Sequence, residues 1–194
     1  MKYLVISDIH GINEYMSEFE KIVEREKPDK IILLGDLLFH GYGYDSDNFI
    51  VAETLNLYKD KIIGIRGNND ISYDELSLDF PLNDYIKMVI NDKTFIFTHG
   101  HIYSEFNMPD KADYLVMGHT HRCGIKRVGD LVVANPGSIS LPRGGSPHSY
   151  MIISDKIIIK DIDGKEIEEV IVWQVIIQNL LRTFIQKWNP TMMK

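Results

Sequence analysis

A single cysteine, Cys123, in 194 residues rules out an internal disulfide, so packing has to hold the fold together. Apolar runs are short, and none approaches the roughly 20 residues of a membrane-spanning helix. The N-terminus passes directly into a strand-like run at Lys2-Tyr3, without the composition of a signal peptide. The expectation is a soluble, cytoplasmic protein with no membrane association. Positive charge is also scarce: 21 Lys and Arg against 28 Asp and Glu leave a formal charge of −7. Such a field repels a large polyanion, and nucleic acid is not indicated as a partner. The H-E-x-x-H helix motif of zinc peptidases is missing too. No repeat, linker or low-complexity segment marks a boundary, so residues 1–194 read as one domain, long enough for one well-buried core.

What the chain does contain is a series of apolar runs that each end in metal-ligand chemistry. Gly118-His119-Thr120-His121 follows Tyr114-Leu115-Val116-Met117, and a lone H-x-H of this kind is weak evidence. Four further runs strengthen it. Tyr3-Leu4-Val5-Ile6 leads to Asp8-Ile9-His10, and Ile31-Ile32-Leu33-Leu34 leads to Gly35-Asp36. Lys61 to Ile65 precedes Gly67-Asn68-Asn69-Asp70, and Thr94-Phe95-Ile96-Phe97 precedes Thr98-His99-Gly100-His101. Five buried strands would thus carry oxygen and nitrogen donors at their C-terminal ends.

The order of elements fixes a fold class. Residues 12–26 place Ile12, Met16, Phe19, Ile22 and Val23 on one helical face, and Pro28 ends that helix. Residues 48–58 form a second amphipathic segment through Val51, Leu55 and Tyr58. Strands at 2–6, 30–34 and 61–65, with helices between them, favour parallel pairing. After an irregular stretch at 71–83 the pattern turns to hairpins. One lies around Asn91-Asp92, one around Gly129-Asp130, and isoleucine-rich strands follow at 150–154, 157–162 and 165–170. The architecture expected is α/β: a four-layer αββα sandwich of two mixed sheets flanked by helices. The segment from about 171 to 190 is helical in period but apolar around most of its circumference, through Val172, Trp173, Val175, Ile176, Leu180, Phe184 and Trp188. It is expected to pack on the body or on a partner subunit.

If the donors meet, Asp36 is the natural bridge, because one carboxylate can share its oxygens between two cations ~3.5–4 Å apart. Asp8, His10 and His121 complete one metal, and Asn68, His99 and His119 the other. Mixed oxygen and imidazole donors suit manganese, iron, zinc or nickel better than magnesium. Two carboxylates against two divalent ions leave the centre cationic inside an acidic protein, able to hold a small phosphate ester. The ions would bind the phosphoryl oxygens and lower the pKa of a bridging water, giving a hydroxide for in-line attack at phosphorus. Asp36, His10 and Asn68 are the candidate catalytic residues; Asn69, Arg143 and His101 are candidate substrate contacts. Read singly, each has a plainer alternative: Gly67-Asn68 as a turn, Arg143 as part of a mobile glycine loop, His101 as structural. Cys123 reads as an apolar filler, His40 as a loop residue and His148 as a partner of solvent or backbone.

The motif set Asp8-Ile9-His10, Gly35-Asp36, Gly67-Asn68-Asn69-Asp70, His99-Gly100-His101 and Gly118-His119-Thr120-His121 resembles the calcineurin-like metallophosphoesterases. Within them it is similar to the small YfcE-type phosphodiesterase group, over about residues 1–160, with Asn135-Pro136-Gly137-Ser138 looking like the closing segment. The resemblance implies a dinuclear metal-dependent phosphodiesterase, assembled as a homodimer or homotetramer. A phosphomonoesterase with the same centre and a non-catalytic, metal-stabilised interaction scaffold are the alternatives. One position departs from the wider family: Asn69 stands where many members have histidine. An amide supplies no proton at neutral pH, which favours esters with good leaving groups.

Overall fold

The computed structural model describes residues 1–39, 47–71 and 76–172. His40, most of the loop expected at 37–47, and the apolar tail from Trp173 onward lie outside the described residues.

The first strands are short and, Lys30 apart, without charge: β1 (Tyr3–Ile6), β2 (Lys30–Leu33) and β3 (Ile62–Ile65). They pair in parallel in the order β1-β2-β3, as the strand-helix-strand spacing requires. Between β1 and β2 a 3-10 turn at Asn13–Tyr15 leads into α1 (Met16–Glu26). This helix buries Met16, Phe19, Ile22 and Val23, and stops at Lys27, whose φ of 47° is left-handed, just before Pro28. Helix α2 (Asn48–Asn56) starts at Asp47, whose side chain accepts a hydrogen bond from the Ile50 N–H at 3.2 Å. It buries Val51, Ala52 and Leu55.

The stretch expected to be irregular up to residue 83 ends instead in a two-residue strand, β4 (Leu82–Asn83), parallel to β3 at the sheet edge. Strands β5 (Tyr85–Ile90) and β6 (Lys93–Thr98) form the hairpin expected at Asn91-Asp92. Both turn residues are left-handed, at φ 50° and 61°, the geometry that matches strand twist. Then come β7 (Tyr114–Met117), β8 (Gly124–Val128), β9 (Leu131–Asn135), β10 (Ser149–Ile153), β11 (Lys156–Asp161) and β12 (Glu166–Ile171).

Two mixed sheets result. One runs β12-β11-β10-β1-β2-β3-β4 and the other β5-β6-β7-β9-β8. Hairpins alone did not foretell the second: its centre is parallel, β6 to β7 and β7 to β9. Those strands are buried on both faces, through Phe95, Ile96 and Phe97, Leu115 and Val116, and Val132, Val133 and Ala134, which is what a parallel centre demands.

Alternation along β1 assigns the layers. Leu4 and Ile6 face α1 and α2 in one core cluster. Tyr3 and Val5 face Phe95, Phe97, Tyr114 and Val116 of the other sheet in a second. Among the described residues, the outer face of the five-stranded sheet carries a smaller cluster, Ile96, Leu115 and Val133, packed under Met108 and Ala112 of the β6–β7 connection. The molecule is therefore an α/β sandwich of two mixed sheets, with the C-terminal ends of β1, β2, β3, β6 and β7 converging on one edge.

Candidate metal centre

Three of the strands at that edge, β1, β2 and β7, run into left-handed backbone. Asp8, His10, Asp36, His119 and His121 all have left-handed φ values, between 50° and 66°. Single Asp and His residues tolerate this region better than most, but at a cost of order 1 kcal/mol each. Strain of this kind persists only where neighbours hold it, and the neighbours are identifiable.

The Asp8-Ile9-His10 turn is held by two buried serines from the segment after β9. Ser138 Oγ donates to the Asp8 carbonyl at 2.7 Å, while Ser140 Oγ reaches the Asp8 and Ile9 carbonyls at 2.9 and 2.8 Å. The Asp36 turn is held by Asp70. Its Oδ2 accepts from the N–H groups of Asp36 and Gly67 at 2.8 and 2.7 Å. Its Oδ1 accepts from those of Leu37 and Leu38 at 2.8 and 3.3 Å. One carboxylate thus clamps the loop after β2 to the loop after β3. Two glycines permit the close approach: a Cβ on Gly67 would collide with the Asp36 backbone and carboxylate, and one on Gly118 with the Ser7 hydroxyl.

The donors gather in two groups, Asp8 with His10 and His121, and Asp36 with His99 and His119. Two imidazoles have defined tautomers. His121 Nδ1 lies 2.6 Å from the Leu141 carbonyl and His99 Nδ1 lies 2.7 Å from the Leu34 carbonyl, contacts in which the nitrogen must donate. Each Nε2 is left facing inward, as metal-bound histidines are usually oriented. His121 Nε2 then points at His10 Nε2, 3.2 Å away, and at Asp8 Oδ1, 3.3 Å away. His99 Nε2 points at Asn68 Oδ1, His119 Nδ1 and Asp36 Oδ2, at 3.1, 3.2 and 3.4 Å.

Lone pairs so arranged repel one another unless a cation lies among them. Asp8 Oδ1 makes the point most sharply, since it is fully buried and has no hydrogen-bond donor. Burial pushes the Asp8 carboxyl up, and brings His10 down to about 4, so that its imidazole is neutral as a ligand must be. Burial works against the Asp36 carboxylate as well. Hydrogen bonding and charge from His99, together with the Asn69 contacts, outweigh it and hold that carboxyl well below its usual range. His99 is desolvated too, yet Asp36 and Asp8 raise it overall. The donor set fits two divalent ions.

The remaining predicted residues lie around this core. Asn68 is exposed with its amide oxygen on His99. Asn69 turns inward, donating from its backbone to Asp36 Oδ1 at 2.8 Å and from its side chain to Asp36 Oδ2 at 2.7 Å. His101 is exposed, its ring edge-on to His99 with centroids 5.3 Å apart. Arg143 is exposed beside the first group, its N–H donating to the His121 carbonyl at 3.0 Å. Cys123 packs against the inter-sheet core. His148 bonds the Ile139 carbonyl through Nδ1 at 2.9 Å and accepts from the Tyr15 hydroxyl at Nε2, 3.2 Å. Sequence reasoning missed Ser138, Ser140 and the two orienting carbonyls. The signal for Ser138 was in Asn135-Pro136-Gly137-Ser138, read as the closing segment of the resemblance but with no role for the hydroxyl.

Residues 1–156 match the model of the calcineurin-like phosphoesterase superfamily domain. The chain belongs to that superfamily. Among its superfamily relatives, the phosphodiesterase YfcE of Escherichia coli strain K12 is 35% identical over 167 residues, 81% of this chain and 90% of YfcE. The phosphodiesterase MJ0936 of Methanocaldococcus jannaschii is 28% identical over 181 residues, 88% of this chain and 99% of the relative. A solved structure of the E. coli phosphoesterase Yfce superposes with a TM-score of 0.83 at 30% identity, covering 89% of this chain and 100% of the other. The superfamily fold and the ligand-bearing edge therefore coincide in this chain. No described helix is long and apolar enough to cross a membrane.

Proposed function

We propose that this chain is a dinuclear metal-dependent phosphodiesterase. The observation that carries the reading is the position of Asp36: its Oδ2 lies 3.6 Å from His10 Nε2 and 3.4 Å from His99 Nε2, between the two donor groups. One carboxylate so placed can be shared by two ions, with Asp8, His10 and His121 around one and Asn68, His99 and His119 around the other. Two bound divalent ions supply charge to the phosphoryl oxygens and acidify water for in-line displacement.

The chain's own residues do the rest. Asp36, held ionised by His99 and Asn69, fixes the separation of the two halves. His10 keeps a neutral imidazole there, and His121 an inward-facing Nε2. Arg143 and His101 stand at the rim on opposite sides, as contacts for a phosphate ester. Asn69, spent on Asp36, brings no proton to the leaving oxygen, so esters of acidic alcohols are the favoured class. The similarity to YfcE and MJ0936 supports diesters over monoesters. Manganese as the resident metal, a homo-oligomeric assembly and a cytoplasmic location complete the proposal.

Asp36→Asn tests it. Manganese stoichiometry by titration should fall below two per chain, and hydrolysis of bis(4-nitrophenyl) phosphate should fall at least a hundredfold. Full loading with retained turnover would remove Asp36 from the bridging role. A parent protein that cleaves monoesters and leaves diesters intact would overturn the diester assignment.

A further inference from the structure

The two buried carboxylates of the centre differ in how their oxygens are occupied. A carboxylate offers about four lone-pair positions, shared equally by its oxygens. On Asp36 the donors are divided: the Asn69 N–H reaches Oδ1 at 2.8 Å and Asn69 Nδ2 reaches Oδ2 at 2.7 Å. Each oxygen is left a further lone pair, as a bridging ligand requires. On Asp8 both donors fall on one oxygen. Ser7 Oγ donates to Oδ2 at 2.7 Å and the His119 N–H to the same Oδ2 at 3.1 Å, while Oδ1 has no donor among the described residues. That bare Oδ1 is the oxygen 3.3 Å from His121 Nε2 and 3.8 Å from His10 Nε2.

The fold builds this division in. Ser7 follows β1 directly and is fully buried, so solvent does not compete for its hydroxyl. Its carbonyl accepts from the Ile139 N–H at 3.4 Å. The hydroxyl stands in the space that Gly118 leaves open. A Cβ on Gly118 would overlap Ser7 Oγ and come within 2.8 Å of Asp8 Oδ2. The glycine before His119 thus admits the hydroxyl that anchors Asp8.

We propose, on the footing of the dinuclear reading, that Ser7 is a positioning residue that sets which cation the first donor group accepts. With Oδ2 held by Ser7 and His119, Asp8 contributes Oδ1 alone, beside the imidazoles of His10 and His121. Calcium takes about six to eight oxygens, often with one carboxylate supplying both of its own. The Ser7 hydroxyl denies it the second oxygen of Asp8. A first-row transition metal accepts imidazole and a smaller ligand set, so it is not hindered and meets a carboxylate already oriented.

The test titrates full-length, chelator-stripped protein with manganese and with calcium, read by calorimetry. Ser7→Ala removes the shorter of the two contacts on Oδ2 and adds no bulk. Manganese affinity should fall about tenfold, the usual cost of losing a group that orients a ligand, while calcium affinity holds or rises. The manganese-to-calcium ratio should therefore drop about tenfold or more. Ser140→Ala is the control: its hydroxyl braces the Asp8 carbonyl and not the carboxylate, so both affinities should fall together and the ratio should stand. Cobalt-loaded Ser7→Ala should also absorb more weakly per ion in the visible than the cobalt-loaded parent, because a second Asp8 oxygen raises the coordination number. An unchanged ratio in Ser7→Ala, an equal drop in Ser140→Ala, or an unchanged cobalt spectrum would each overturn the role of Ser7 and leave the phosphodiesterase reading standing. A parent that takes up fewer than two manganese ions and cleaves no diester would overturn that reading first, and the inference with it.

Discussion

Asp70→Asn isolates the clamp between the loops after β2 and β3. The substitution keeps size and shape, so it opens no cavity. It replaces one acceptor oxygen by an NH2 group, and both oxygens of Asp70 are fully used. Whichever way the amide turns, two buried N–H donors face a donor instead of an acceptor: Asp36 and Gly67 in one orientation, Leu37 and Leu38 in the other. The second orientation is less costly, because the Leu38 contact is already long at 3.3 Å. Hydrogen bonds to a charged group contribute about 1.5 to 3 kcal/mol each. Losing two therefore removes on the order of 3 to 5 kcal/mol, which in a protein of this size lowers Tm by roughly 10 °C. Chemical denaturation measures the first and calorimetry the second. Because Asp36 and Gly67 are themselves displaced, manganese affinity should fall about tenfold or more. A variant within about 1 kcal/mol of the parent that binds manganese as before would show that Asp70 does not hold the loops.

Ser140→Ala should act on one half of the centre. It removes the hydroxyl from the Asp8 and Ile9 carbonyls, at a cost of about 1 to 2 kcal/mol, and leaves the contacts of His99 untouched. Manganese titration followed by electron paramagnetic resonance should show one tight and one weakened ion in place of a coupled pair; an unchanged stepwise profile would mean the brace is idle. Glu26→Gln addresses acid stability at the opposite end of the molecule. Burial pushes Glu26 up, but hydrogen bonds from Lys160 and Tyr150 hold it below its usual 4.5. Its contribution is complete above 4.5 and fades as pH falls through the lower folded value. The parent should therefore lose stability below that point more steeply than the variant; parallel curves would remove Glu26 from the acid response.

The parts legible in sequence were those written locally. Apolar runs ending in Asp8-Ile9-His10 or Gly118-His119-Thr120-His121 announce strand and ligand in adjacent residues. Asn91-Asp92 announces its own turn. What stayed hidden depends on partners far apart in the chain: the hydroxyl of Ser140 on the Ile9 carbonyl, the Leu34 carbonyl on His99, and the four donors on Asp70. The parallel centre of the five-stranded sheet was hidden for the same reason. Tyr114-Leu115-Val116-Met117 looks alike beside either neighbour, and only its pairing to both β6 and β9 decides direction. Asn69 is a mixed case. Its inability to donate a proton follows from its chemistry, whereas its double contact with Asp36 needed coordinates.

Neither donor group belongs to one sheet. Asp8 and His10 follow a strand of the seven-stranded sheet and His121 one of the five-stranded sheet, and Asp36 is matched in the same way with His99 and His119. An ion in either place acts as a rivet through both halves of the sandwich, and mass action converts its affinity into resistance to unfolding, about 4 kcal/mol at a thousandfold excess over Kd. Chelation should accordingly loosen the seam between the sheets before it touches either ladder, a separation that hydrogen exchange along β1 and β6 would register.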